Sequence, residues 1–260
     1  MTRTTSEAAG CRRLAGRTAV VTGGAGAIGL AVARRLAAEG ARVVLADTDE
    51  PAGQAAAAEI GGLFVPTDVT DPYQVEALFD AAYETCGGVD ISVHAAGLRT
   101  EHAAGLWTEQ AEPTTARHRT ESAELTTARH RIEQAELTAV RLCCEAALPY
   151  MRRHGRGSII NTAGSGTGAV AALSRELGLR FAREGIRVNT LLPGPVDTPE
   201  PAADPAEQAR LLPLIPLGRL ARPQEIAAAV AFLASDDASF VTASEFPVDG
   251  GLHGARSAGI

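Results

Sequence analysis

Apolar residues fall along the chain in short runs that alternate with longer, one-sided stripes. "TAVVT" (18–22), "RVVLAD" (42–47), "LFVPTDV" (63–69), "VDISVHAAG" (89–97), "SIIN" (158–161), "IRVNTLLPG" (186–194) and "EFPVDGG" (245–251) are brief runs rich in β-branched residues. Such runs are the pattern of buried strands. Between them the apolar positions recur at helical spacing. "IGLAVARRLAAEG" (28–40) closes on Gly40, and "EPAGQAAAAEIGG" (50–62) follows the second strand. In "DPYQVEALFDAAYETCGG" (71–88), Val75, Leu78, Phe79 and Ala82 share one face. A long helical region reaches about Arg153, an Ala/Leu helix follows a Gly-rich connector (Gly164, Gly166, Gly168), and "RPQEIAAAVAFLAS" (222–235) precedes the last strand. Strands alternating with helices predict an α/β fold, with about seven strands in a parallel sheet and helices on both faces. No linker or shift in composition marks a second domain, so residues 1–260 are expected to form one.

One stretch breaks the alternation. "TTARHRTESAEL" (114–125) is followed at once by "TTARHRIEQAEL" (126–137), identical at 10 of 12 positions. Arg117 with Glu121 and Arg129 with Glu133 are i,i+4 pairs, suited to a solvated helix face. His118 and His130 stand about 120° apart around a helix, so they do not share a face as metal ligands. The duplication is expected to lengthen a helix or the loop leading into it, an interaction segment being the alternative.

The 31 acidic residues outnumber the 24 basic ones, giving a net charge of −7 that argues against a general nucleic-acid binder. All of the basic residues are arginine. A chain without lysine has no side chain for a Schiff base. Its four cysteines, Cys11, Cys86, Cys143 and Cys144, form no C-x-x-C pair, so no metal site is expected and reduced thiols in a cytosol are. No run reaches the roughly 18 apolar residues of a membrane span, and the first residues carry no apolar signal core. These features predict a cytoplasmic protein.

"TGGAGAIG" (22–29) lies between the first strand and the first helix and contains Gly24-x-Gly26-x-x-Gly29. Glycines at this spacing let backbone amides approach a pyrophosphate at a helix N-terminus. Asp47 follows at the end of the second strand, where a carboxylate accepts hydrogen bonds from ribose hydroxyls and repels a 2′-phosphate. A Rossmann-type, doubly wound sheet is therefore expected, with NAD preferred over NADP.

From here the chain resembles the short-chain dehydrogenase/reductase family over nearly its whole length. "LAGRTAVVTGGAGAIG" is similar to the family's opening: Thr22, Gly23 and Gly29 fit its glycine motif, and Ala27 stands where glycine is usual. "DVT" (68–70) resembles the adenine-contacting segment, and "HAAG" (94–97) takes the place of Asn-Asn-Ala-Gly with both asparagines replaced. "IRVNTLLPGPVDTP" carries the Pro193-Gly194 turn and Thr198, which in the family faces the nicotinamide end. "PLGRLARPQEIAAAVAFLASDDASFVTASEFPVDGG" resembles its C-terminal stretch. The resemblance implies a cofactor site built from Gly23, Gly26, Ala27, Ile28, Gly29, Asp47, Asp68, Val69, Ala95, Gly97, Pro193, Gly194 and Thr198.

It also implies catalytic residues that are missing. In the family a tyrosine exchanges the substrate proton, a lysine four residues later lowers the tyrosine pKa, a serine polarises the substrate oxygen, and an asparagine completes the group. Set against "GIRVN", the tyrosine falls near Ala163 and the lysine near Thr167. Set against "GSIIN", the serine falls near Gly164, and set against "AALPYM", the asparagine is Glu136. The chain between the first two anchors is about a dozen residues short of the pattern, so the catalytic residues are unknown. Tyr73, Tyr83 and Tyr150 are expected to be packing or surface residues, Ser165 and Thr167 lack a base, and His94 at a strand end is the best acid/base candidate. Glu136 is expected to be a solvated residue of the repeat, with a functional carboxylate as the alternative.

The leading reading is an NAD-binding, oxidoreductase-like protein without the usual proton relay, impaired or serving as a non-catalytic subunit. The alternatives are an active alcohol/ketone oxidoreductase with a substituted acid/base, and a non-redox enzyme on the same fold. Val170, Leu173, Leu177 and Phe181 recur at helical spacing as an apolar face to be covered. A homo-oligomer, or a hetero-oligomer with an intact relative, is therefore expected.

Overall fold

The computed structural model describes residues 12–95, 116–163, 168–198 and 210–258. The strands are β1 (Thr18–Thr22), β2 (Arg42–Asp47), β3 (Leu63–Pro66), β4 (Ile91–His94), β5 (Gly157–Thr162), β6 (Ile186–Pro193) and β7 (Glu245–Val248). The helices are α1 (Ala27–Ala38), α2 (Glu50–Ile60), α3 (Pro72–Cys86), α4 (Ala116–His154), α5 (Gly168–Phe181), α6 (Pro223–Ala234) and α7 (Leu252–Ala258). The seven strands form one sheet in the order β3-β2-β1-β4-β5-β6-β7. Every neighbouring pair is parallel.

Local chemistry sets where the elements begin and end. Asp49 accepts the Ala52 amide to open α2, and Asp71 accepts the amides of Tyr73 and Gln74 to open α3, with Pro72 leading the first turn. Both helices close on a glycine in the left-handed region, Gly61 and Gly87. Strand alternation then sorts side chains into two cores. Ala19, Val21, Ile91, Val93, Ile160 and Leu191 meet α1 and α6 on one face. Val20, Val44, Ile159 and Val188 meet α3, α4 and α5 on the other. At the N-terminal edge of the sheet the buried carboxylate of Asp90 accepts the Thr18 amide at 2.9 Å and Arg156 Nε at 2.8 Å.

The apolar stripe of α5 does not await a partner. Val170, Leu177 and Phe181 are buried within the chain's own second core, and Leu173 packs against it. The large apolar residue that α5 turns outward is Leu179, 68% exposed. The 116–137 part of the duplicated stretch is continuous with α4, a helix of 39 residues. Pro149 sits inside that helix at an exposed position.

Candidate functional site

The strand order reverses between β1 and β4, and in open parallel sheets a crevice opens there at the C-terminal ends of the strands. Gly23 turns out of β1 with φ +67°, in the region that favours glycine. A Cβ on Gly29 would stand 2.0 Å from the Gly23 carbonyl oxygen, so the first turn of α1 packs on the loop only as glycine. Gly26, the N-cap of α1, offers no side chain to the helix amides that follow it, Ala27, Ile28 and Gly29. Those N–H groups open towards the crevice end, the arrangement that receives a phosphate.

Asp47, at the end of β2, is half-buried beside this loop. Its Oδ2 accepts the Ala25 amide at 3.0 Å and its Oδ1 the Asp49 amide at 3.2 Å. The carboxylate is thereby fixed against the glycine turn with lone pairs to spare. Asp68 and Val69 follow β3; Asp68 Oδ1 accepts both the amide and the hydroxyl of Thr70, at 2.9 and 2.7 Å. Ala95 leaves β4 with its amide on the Thr22 carbonyl at 3.2 Å. Pro193 ends β6, Gly194 donates to the Val248 carbonyl at 2.9 Å, and Thr198 is half-buried just beyond. The strand ends thus bring twelve of the thirteen expected cofactor residues to one edge of the sheet. Gly97 lies outside the described residues, as do Gly164, Ser165 and Thr167. Beside Asp197 a cleft of about 730 Å³ is lined by Leu212, Gly218, Arg219, Leu220 and Arg222. The Arg219 guanidinium there is taken up by both carboxylate oxygens of Glu225, at 2.7 and 2.8 Å.

His94 is not the acid/base of this edge. It is 2% exposed and lies on the α4/α5 face of β4, below the crevice. Its Nδ1 is 2.7 Å from Asn161 Oδ1, its Nε2 is 2.7 Å from Ser92 Oγ, and Cys144 Sγ lies 3.8 Å from Nδ1. Asn161 Nδ2 donates to Ser174 Oγ at 2.8 Å, and Ser174 donates to the Val170 carbonyl at 2.7 Å. One assignment of protons satisfies the whole chain: Ser92 donates to Nε2, Nδ1–H donates to Asn161, and each later group passes the direction on. The ring is held neutral, its pKa pulled down to about 4 by burial against the opposing Asn161 bond. Burial likewise pushes the Cys144 thiol up to about 12 and raises Cys143, so neither is a ready thiolate.

The register explains why this cluster exists. Thr22 pairs with His94, His94 with Asn161, and Asn161 with Thr190, so four polar residues cross β1, β4, β5 and β6 in one row. The hydroxyls at its two ends, Thr22 Oγ1 and Thr190 Oγ1, are buried without a hydrogen-bond partner. Sequence reading placed these residues in strands without joining them.

None of the tyrosines reaches the crevice. Tyr73 is 81% exposed, and Tyr83 and Tyr150 stack on each other with ring centroids 5.3 Å apart. Tyr150 lies in the last turns of α4 and donates to Asp80; burial, and then that bond, push its pKa up to about 12. Ala163, at the position expected for the tyrosine, is fully buried. Glu136 departs from the solvated residue expected of it. It is half-buried, and its pKa is pushed up to about 7, by burial first and then by Glu133. Among the described residues no cluster of three His, Cys, Asp or Glu could hold a metal, and no helix is long and apolar enough to cross a membrane.

Comparison with known proteins gives this edge its context. Residues 23–253 match the family model described as enoyl-(acyl carrier protein) reductase. The chain is 41% identical to cis-4-hydroxycyclohexanecarboxylate dehydrogenase of Sinomonas cyclohexanicum, over 90% of this chain and 96% of that one. It is 34% identical to meso-2,3-butanediol dehydrogenase of Serratia marcescens, over 92% and 95%. Among solved structures, a short-chain type dehydrogenase/reductase from Mycobacterium marinum superposes with a TM-score of 0.77 at 31% identity, covering 93% of this chain and 97% of that one. Dehydrogenases of this kind work with a nicotinamide dinucleotide. With the parallel sheet, the glycine turn and these relatives together, the chain belongs to the short-chain dehydrogenase/reductase family of oxidoreductases.

Proposed function

We propose that the protein binds NAD(H) across the β1/β4 crevice as an oxidoreductase whose ordinary proton relay is missing. The observation that carries this is Asp47, its carboxylate tied to the Ala25 amide of the glycine turn. A fixed negative charge there suits two ribose hydroxyls and opposes a 2′-phosphate. The amides of Ala27, Ile28 and Gly29, with Gly23 and Gly26 shaping the turn, would hold the pyrophosphate. Asp68 and Val69 would flank the adenine, Ala95 and Gly97 the middle of the cofactor, and Pro193, Gly194 and Thr198 its nicotinamide end.

When bound, the cofactor supplies a two-electron acceptor or donor for a carbinol or carbonyl carbon. The proton on the oxygen is the part the chain must handle itself. No described tyrosine faces the crevice, His94 is enclosed, and lysine is absent from the sequence. Losing acid/base assistance alone costs about 10²–10⁴-fold in rate. The substrates of this reading are secondary alcohols and their ketones, the chemistry named for the Sinomonas and Serratia relatives. Weak turnover also suits a subunit that pairs with itself or with an intact relative.

Calorimetry tests the cofactor half. NADH should bind more tightly than NADPH, and Asp47→Asn, which keeps an acceptor for Ala25 but removes the charge, should narrow the gap about tenfold. Equal affinity of the unaltered protein for both cofactors would remove the assignment of Asp47.

A further inference from the structure

Glu136 has the right address and no structural occupation. At about 100° per residue it lies within about 40° of Val140, Cys143 and Ala147 around α4. Those three are the buried stripe of the helix, and Leu137 beside it packs against the same core. Glu136 is therefore the next position of a core-facing stripe, one turn past Val140. Two turns further along, Cys144 touches Asn161 and His94 at the ends of β5 and β4. By the helical rise, about 1.5 Å per residue, Glu136 stands about 12 Å beyond that level, past the sheet and above its C-terminal edge. No hydrogen bond or ion pair holds its carboxyl among the described residues, although every other part of the stripe is apolar or thiol. A half-buried carboxyl with no partner among the described residues costs stability on a core stripe, which marks it as a candidate functional group.

We propose that Glu136 is the acid/base group of the crevice, exchanging the substrate proton that the family's tyrosine would carry. The proposal rests on the reading that a dinucleotide binds the crevice. In oxidation the carbinol C–H hydrogen leaves with its electron pair to the oxidised dinucleotide. The O–H bond breaks towards a carboxylate oxygen of Glu136, and the electrons of that bond complete the carbonyl. The carboxyl then releases its proton to water; reduction runs the same transfers in reverse.

A carboxyl titrating near neutrality is matched to this task, since both of its forms are available at working pH. Among the described residues its charged and titratable surroundings are few. Glu133 lies on its own helix and raises its pKa. From β4 comes His94, held neutral, and Cys143 and Cys144 along the stripe are held as thiols. The described part of β5 beside α4 and the first turns of α5, Gly168–Ser174, bring no titratable group. On α3, Asp71 and Tyr73 stand at its N-terminal end, while Glu76 and Asp80 act on Tyr150 some 14 positions further along α4.

The test compares the full chain with Glu136→Gln and, as the charge-retaining control, Glu136→Asp. Unfolding temperature is followed from pH 4.5 to 8.5. The Gln variant should gain on the wild type as pH rises from about 4.5 to 7, because the unfolded chain releases the Glu136 proton before the folded chain does, and the difference should level off above 7. Oxidation of cis-4-hydroxycyclohexanecarboxylate with NAD should be slow, rise with pH to an inflection near 7, and fall about 10²–10⁴-fold in the Gln variant without the inflection. The Asp variant should recover part of the rate, and all three proteins should bind NADH alike by calorimetry. A Gln variant with unchanged rate and pH profile, a stability difference flat across the range, or NADH binding with no turnover by the wild type would each overturn the role of Glu136 while leaving the cofactor site standing. Failure of NADH to bind at all would overturn both.

Discussion

At the scale of single residues, two buried ionisable groups pull stability in opposite directions with pH. His94 has a folded pKa of about 4 against 6.5 for the free side chain, so the unfolded chain takes the proton first. Its contribution is complete above about pH 6.5 and is lost as pH falls through 4, about 3 kcal/mol in all. Glu136 is raised from 4.5 to about 7, so the folded chain holds that proton more tightly, and stability declines as pH rises across the same interval. His94→Asn isolates the first effect. At pH 7 it should cost about 1–3 kcal/mol, because Ser92 and Asn161 lose ring partners and volume is removed. At pH 5 the penalty should shrink by about 2 kcal/mol, since the wild type then pays to keep the ring neutral. Urea unfolding at the two pH values measures it, and an identical penalty at both would remove the neutral, enclosed histidine.

At the scale of elements, α4 joins a repeat to a core, and the join decides how much could be read in advance. The first two strands are legible because each is a local feature, a short apolar run. The row Thr22–His94–Asn161–Thr190 is not. It depends on which strands are neighbours, and only the order β3-β2-β1-β4-β5-β6-β7 brings those positions together. Glu136 is legible as the position of the family's asparagine, with a functional carboxylate as one alternative, but its half-buried place on the core stripe is not, for a related reason. Its counterpart in the first copy, Glu124, shares the Ala-Glu-Leu-Thr context, and only the second copy runs directly into the stripe Val140–Cys143–Ala147. Deleting residues 114–125 is therefore expected to leave 126–137 in place ahead of the core. Circular dichroism should lose about ten residues of helix, while the unfolding free energy changes by no more than about 0.5 kcal/mol. A large destabilisation would mean that the first copy packs on the domain rather than extending from it.

At the scale of the whole molecule, burial on one face of α5 redirects the question of assembly. The stripe first taken as an uncovered surface is the chain's own core, so it offers no reason to associate. Among the described residues the exposed large apolar side chains are Tyr73, Leu179, Leu212, Leu214, Leu217 and Phe240; of these, Leu179 lies on α5 and Phe240, with its ring wholly in solvent, follows α6. Both belong to one flank of the molecule, because Gly178 packs against Ala243 and accepts the Thr242 hydroxyl. Isolated exposed apolar residues are ordinary, but two on neighbouring segments give a second chain a place to pack. The expectation is an oligomer at micromolar concentration, with itself or with an intact family member. Leu179→Glu should weaken it by placing a charge in the contact without touching the buried side of α5. Light scattering decides: a monomer that stays a monomer when an intact relative is added would end the subunit reading, and assembly indifferent to Leu179→Glu would move the contact elsewhere.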